Sequence, residues 1–474
     1  MEPKVEKNEE TSVKAKAGKP VLSEDLLDAP LVHGGLWKAI WLMSWPLLIS
    51  TVATSVVGVV DVQVSGFVTS AAQAAVGLSE QALFLFMVFI FSVSVGTTAV
   101  VSREFGEGNL DATYTATAQS LIMSVSSGFV LALAALLCAK FILPYFTHSP
   151  DVVAQGNLYL SIFGIYMVPF SLLCISGAAF RAIGDAKTPL LIVLFDVIIN
   201  IIGDYLTVKF SWPVPGLGIR GIAYSAVISA TIAAGVSIYK LWHSPLKPSL
   251  SRLNVFDWQC QKRILKIGIP SAIQRLGWAG SVFAVFFILK SVPEHTAALA
   301  SWTIGMRIES LLFMPLMALS LAVSSIVGQN LGAHKEDRAI KAGWNVTYIG
   351  IAMMVVLAVC MFSFADLIAR LMSPDPATQG FSANYLRINS FSEPFLAVAM
   401  ILQGAMQGAG DTKANMWISL SCNWLIRLPI AWFLALNFNM GTDGVWYAMA
   451  SSVVVCAAWC ALRFRSGKWL KVRV

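Results

Sequence analysis

Residues 188–209 read TPLLIVLFDVIINIIGDYLTVK. A bilayer core needs roughly 20 consecutive apolar residues in helical form, and this run is too long for one strand, which seldom exceeds about 10 residues. Three polar side chains interrupt it. Asp196, Asn200 and Asp204 recur at i, i+4 and i+8, so a helix sets all three on one face. The run therefore predicts a membrane-spanning helix with a row of polar groups along one side.

The rest of the chain repeats the pattern. Twelve apolar segments cover about 36–64, 80–101, 113–138, 156–180, 188–209, 221–242, 264–290, 297–326, 339–362, 382–407, 414–437 and 444–465. Hydrophobic residues make up 57% of the 474 and charged residues 12%. A soluble domain carries roughly 25% charged residues. This balance excludes a cytosolic enzyme, a secreted disulfide scaffold and a disordered chain. Lipid admits only structures that satisfy their backbone internally, and long unbroken runs select helices over a barrel. The fold class is all-α integral membrane with 12 transmembrane helices.

Residues 1–35 differ in kind, with five Lys, seven acids and no apolar core, and are expected to form a disordered cytoplasmic tail. They lack the apolar stretch of a signal peptide. Of the 33 Lys and Arg, 24 fall on one side of the segments, five on the other and four inside them. The positive-inside rule then puts both termini in the cytoplasm of a cell's plasma (inner) membrane. The expected division is an N-lobe at 36–242, a cytoplasmic inter-lobe loop at 243–263, a C-lobe at 264–466 and a basic cytoplasmic tail at 467–474.

The lobes are copies. FGEGNLDA at 105–112 matches LGAHKEDR at 331–338, SPDVVAQG at 149–156 matches SPDPATQG at 373–380, and IGDAK at 183–187 matches AGDTK at 409–413. Pro46 pairs with Pro270 and Pro169 with Pro394, all at separations of 224 to 226. Six helices per copy is an even number, so both copies insert the same way up and form two pseudo-twofold-related six-helix bundles. Such bundles leave a central cleft that rocking exposes to alternate sides, which is a transporter's plan. The five His lie outside or at the edges of apolar runs, and no Cys pair has zinc-site spacing. An intramembrane enzyme, a metal site and a cofactor are not expected, nor is a nucleic-acid partner. The glycine motifs read as helix caps and tight turns.

Ionisable groups in a bilayer are costly and mark functional sites. The N-lobe holds Asp61, Asp196 and Asp204 and no base; with Asn200, they are expected to converge in its outer half. Burial and a neighbouring carboxylate both favour the protonated acid, so the set can load and release a proton. The same oxygens could hold a hard cation such as Na⁺. The C-lobe holds Arg275, Arg307, Glu309, Arg387, Glu393 and Arg427. One reading pairs them internally. The other leaves unpaired arginines, Arg275 and Arg387 foremost, facing the cleft to meet an anionic group on a substrate.

The chain from about 36 to 465 resembles the MATE (multidrug and toxic compound extrusion) family. The resemblance rests on VVDVQVSG at 59–66, SREFGEGN at 102–109, FRAIGDAKTP at 180–189, IGMRIESLLFMPLMALSLAVSSIVGQNLGA at 304–333, QGAGDTK at 407–413, IRLPIAWFL at 426–434 and GVW at 444–446. It implies a V-shaped two-lobe MATE fold, a monomer in the lipid bilayer, and cation-coupled export of small organic or drug-like molecules by alternating access. The family's first-helix aspartate falls on Asp61 and its bend-forming proline on Pro46. In members of the DinF-like and archaeal branch, an Asn-x-x-x-Asp pair falls on Asn200 and Asp204. The sixth-helix threonine of that cluster falls on Ala226, beside Ser225. The acids of the NorM-type second-lobe site fall on Trp278 and Leu396, so first-lobe proton coupling is the favoured reading and Na⁺ the alternative. A lipid-linked-precursor flippase of the same superfamily is the rival; twelve segments and an acidic first lobe argue against it.

Overall fold

A computed structural model gives the fold and describes residues 31–146, 149–210 and 217–472, all of whose regular structure is helical. The N-lobe comprises α1 (Leu36–Gly66), α2 (Ser70–Gly106), α3 (Leu110–Phe146), α4 (Pro150–Ala182), α5 (Lys187–Lys209) and α6 (Ile219–Trp242). The C-lobe comprises α7 (Trp258–Lys290), α8 (His295–Gly332), α9 (Glu336–Ser363), a short α10 (Ala365–Met372), α11 (Pro376–Ser390), α12 (Glu393–Gly408), α13 (Thr412–Asn437) and α14 (Gly441–Arg465). Among the described residues, eleven helices are long and apolar enough to cross a membrane. The segment expected as one helix over 382–407 is instead α11 and α12, broken at Phe391 and Ser392. Pro394 explains the break: it has no N–H to donate and sits in the first turn of α12. The inter-lobe loop is also shorter than expected, since α7 starts at Trp258, where Asp257 caps the helix by accepting from the Cys260 N–H at 3.1 Å.

Four clusters of buried apolar side chains hold the molecule together, and their membership defines its shape. Two lie away from the Lys/Arg-rich end and each belongs to one lobe. The first joins Val64, Leu83, Tyr159 and Ile222; the second joins Val285, Trp302, Tyr385 and Trp446. The two at the Lys/Arg-rich end are shared. There α1 contributes Ala39, Ile40, Met43 and Leu47 to the C-lobe core, while α7 contributes Cys260, Ile264 and Ile267 to the N-lobe core. So α1 and α7 each change lobes along their length. The lobes are locked at the Lys/Arg-rich end and separate toward the other, leaving a cleft that opens there.

The lock is close and pseudo-symmetric. A Cβ on Gly106 would lie 2.2 Å from the Gln329 carbonyl oxygen, and one on Gly332 would lie 2.1 Å from that of Arg103. Only glycine fits at either contact, and the two contacts are images of each other under the internal repeat. Gly106 and Gly332 belong to motifs expected to serve turns; in the structure they also let α2 and α8 touch backbone to backbone.

The ends of the chain add to this lock. The expected tail over 1–35 is corrected at its end, because Leu31 is fully buried. The Leu31 carbonyl accepts from Asn330 Nδ2 (3.1 Å), that of Val32 from Lys335 Nζ (3.1 Å) and that of Gly34 from Arg338 Nη2 (2.6 Å). Residues 1–30 lie outside the described residues. The expected tail over 467–474 is docked as well: Trp469 is buried, and Arg103 of the N-lobe donates to the Val472 carbonyl at 3.0 Å. A basic sequence reads as a solvated tail, but its backbone carbonyls are good acceptors for arginines across the interface.

Candidate coupling site

In the outer core of the N-lobe, the polar residues of three segments meet. Asp61 on α1 and Asp204 on α5 are both buried, and their carboxyl groups are electrostatic neighbours. Asn200, one turn before Asp204, is buried on the same face. Ser225 of α6 adjoins Asp204 because Gly203 lets the helices approach: a Cβ there would meet the Ser225 hydroxyl at 2.8 Å. Thus the position beside Ala226 supplies the hydroxyl. Asp61 Oδ1, Asn200 Oδ1 and both Asp204 oxygens are buried with no hydrogen-bond partner among the described residues. Directly after Asp204, α5 widens into a π-helical turn over Tyr205–Lys209, a distortion often found at functional sites.

Two further residues complete the cluster. Glu80 of α2 is an electrostatic neighbour of Asp61, and the Tyr159 phenol of α4 is a neighbour of Asp61, Glu80 and Asp204. Tyr159 is buried and its hydroxyl has no hydrogen-bond partner among the described residues. Glu80 lies one turn from both Val76 and Leu83, members of the same buried core. The apolar segment expected over 80–101 starts at Glu80, since SAAQAAVGLS before it is weakly apolar. In the structure those residues are helical, and Glu80 is ten positions inside α2. Asp196 stands apart from the pair: it contacts Ser229 and Tyr166, two turns nearer the Lys/Arg-rich end.

The C-lobe counterpart has a different chemistry. Glu309 of α8 interacts with the Tyr385 phenol and with Arg427, and Glu393 adjoins Glu309. Arg427 is buried and donates through Nε to Ser452 Oγ at 2.9 Å. Tyr385 packs edge-on to Trp446, ring centroids 4.7 Å apart. Arg427 is thus the basic neighbour of Glu309 and Tyr385 in a cluster that also holds Glu393, and no close ion pair joins them among the described residues. The cleft-facing expectation for Arg387 is overturned, since its Nη2 pairs with Asp366 Oδ2 at 2.5 Å between α10 and α11 and both side chains are exposed. Arg307 is exposed on α8.

The MatE family profile matches residues 46–206 and 270–433, one copy in each lobe. This chain belongs to the MatE family. Members of that family are transporters rather than enzymes, consistent with a fold whose two copies of one bundle enclose a cleft. The MatE protein is 26% identical over 432 residues to the probable multidrug resistance protein NorM of Thermotoga maritima, covering 90% of this chain and 92% of that one. It is also 26% identical over 449 residues to the probable multidrug resistance protein YpnP of Bacillus subtilis, with 93% and 98% covered. Among solved structures it resembles an outward-facing multidrug resistance MATE family transporter of the MOP superfamily, with TM-score 0.85 at 19% identity over 94% of this chain and 99% of the other. A MOP superfamily transporter from Pyrococcus furiosus, described with a binding pocket of reverse polarity, aligns equally well, with TM-score 0.85, 19% identity and the same coverage.

Proposed function

We propose that this MatE protein is a proton-coupled exporter of small organic, drug-like molecules, working by alternating access of the central cleft. The relatives named as multidrug resistance proteins support the substrate class. One observation carries the coupling: Asp61 and Asp204 are buried beside each other, with no base among their described neighbours. Two such carboxylates repel, and a shared proton removes the repulsion. The Ser225 hydroxyl already donates to the Gly221 carbonyl at 2.9 Å. Its oxygen is left to accept, which suits a protonated Asp204.

The positive-inside rule sets both termini in the cytoplasm of the plasma membrane, so the cleft described above opens outward. In this state Asp61 would load a proton from outside. Its helix, α1, carries the signal, because the outer half belongs to the N-lobe core and the inner half to the C-lobe core. Pro46 leaves the Leu42 carbonyl without its helical donor and lets α1 bend between the two.

Transport in proteoliposomes with imposed gradients tests the reading. A proton gradient, acid outside, is expected to drive ethidium export, and a Na⁺ gradient at constant pH is not. Export driven by Na⁺ alone and insensitive to pH contradicts proton coupling and assigns the same oxygens to Na⁺.

A further inference from the structure

Four arginines lie within the C-lobe segments, and three are accounted for: Arg387 is paired with Asp366, Arg427 belongs to the internal cluster, and Arg307 is exposed. Arg275 is different. It stands in the middle of the 33-residue α7, about 25 Å from the helix start at 1.5 Å per residue. Its Nε is buried without a hydrogen-bond partner, and no acidic side chain among the described residues is its electrostatic neighbour. Its guanidinium lies over the Phe91 ring of α2, 5.9 Å from the centroid. The contact therefore crosses from one lobe to the other.

The position is the floor of the cleft. The lobes touch where a Cβ on Gly268 would lie 2.8 Å from the Ser92 carbonyl oxygen. Arg275 is seven residues, or about 10 Å, beyond that contact toward the open end. Across the floor, Ser55 of α1 hydrogen-bonds the sulfur of Met314 on α8. From Phe91 an aromatic row runs up α4: Phe91 meets Phe170 edge-on at 6.0 Å, Phe170 stacks on Tyr166 at 5.1 Å, and the row ends at Tyr159 beside Asp61 and Asp204. A guanidinium at membrane depth needs an anion, and one aromatic face does not replace it.

We propose that Arg275 binds the carboxylate, or an equivalent anionic group, of an aromatic substrate whose ring system lies along Phe91 and Phe170. This deepens the exporter reading by adding aromatic organic anions and zwitterions to its substrate class, and it rests on that reading for the use of the cleft. Arg275 is a strong partner for such a group because its planar fork can take a carboxylate bidentately. The row of rings also sets the bound molecule in line with the acid cluster.

Binding distinguishes this proposal from the transport reading. Calorimetry on the purified full chain in phosphatidylcholine nanodiscs would compare 2-naphthoate, 2-naphthylmethanol and 2-naphthylmethylammonium. Naphthoate is expected to bind at least tenfold tighter than the other two. Arg275→Gln should reduce it to the level of the alcohol and leave the other two unchanged, while Arg275→Lys should retain part of the preference. Phe91→Leu should weaken all three and keep their order. Equal binding of the three probes, absence of naphthoate binding, or an equal loss of all three in Arg275→Gln would overturn the proposal. Displacement of naphthoate by phosphatidylglycerol in the nanodisc would also overturn it, in favour of a lipid headgroup. None of these results depends on whether ethidium is exported or which ion drives it.

Discussion

The outer cores of the two lobes occupy equivalent places in a duplicated scaffold yet hold opposite chemistries. The N-lobe core contains Asp61, Glu80 and Asp204 with Tyr159 and, among the described residues, no base beside them. The C-lobe core contains Glu309 and Glu393, but Arg427 and Tyr385 sit among them. A set of acids with no internal counter-charge exchanges a proton or cation with its surroundings. A set with a base among its acids has a counter-charge beside it and less need of an exchanged cation. Duplication provided two equivalent places, and divergence of a few side chains gave them opposite charge balance.

The comparison breaks most easily at Asp204. Asp204→Asn keeps the shape and removes the exchangeable proton, so proton-driven ethidium export should fall by about 100-fold, within the range that a proton-transfer group contributes, while the protein stays folded. Normal export by this variant would place coupling elsewhere. Next in size is Arg427→Met. It leaves Glu309 without its cationic neighbour and removes the buried hydrogen bond from Arg427 to Ser452, worth about 1.5–3 kcal/mol for a charged donor. The expected result is a marked drop in thermal stability, largely restored by adding Glu309→Gln; a variant as stable as the parent would show that the C-lobe cluster is not neutralised internally.

Glu80→Gln sharpens the comparison further. If Glu80 belongs to the acid set, the variant should shift the pH profile of export without abolishing it. A profile that matches the parent would return Glu80 to a purely structural role. Arg338→Ala removes the hydrogen bonds to the Leu31 and Gly34 carbonyls, worth about 1.5–3 kcal/mol each for a charged donor. It should loosen the lock at the Lys/Arg-rich end, read as faster hydrogen exchange at residues 31–34 with export intact. The smallest effect is at Asp375, the exposed cap of α11, where hydrogen bonds from Thr378 hold its carboxyl below the usual carboxylate value. Its cap strengthens above about pH 4, the value of a free Asp. It is lost as the pH falls through the lower folded value. Asp375→Ala should therefore lower the melting temperature slightly at neutral pH and not at all in strong acid.

Much of this was legible in the chain because membrane helices follow from apolar length alone. The spans, the repeat and the row Asn200–Asp204 all rest on local pattern, and Asp61 stands out by the cost of its charge. Glu80 and Tyr159 were hidden for a different reason. Glu80 follows a weakly apolar stretch whose helical state depends on packing against α1 and α4. A tyrosine in an apolar run gives no sign that acids from three other helices lie near its hydroxyl. The break before Pro394 was readable from the proline, but its effect depends on α11 packing independently. The docking of Leu31 and Val472 uses backbone carbonyls, which every residue has, so no pattern marks it. The exchange of α1 and α7 between lobes is likewise a property of the assembled cores.

The most direct test of the central claim is proton release on substrate binding, followed with a pH indicator in weakly buffered detergent solution, for the parent, Asp204→Asn and Glu309→Gln. Coupling in the N-lobe predicts that ethidium displaces a proton from the parent and from Glu309→Gln, and none from Asp204→Asn. Release that persists in Asp204→Asn and vanishes in Glu309→Gln would contradict the account and move the coupling site to the other lobe.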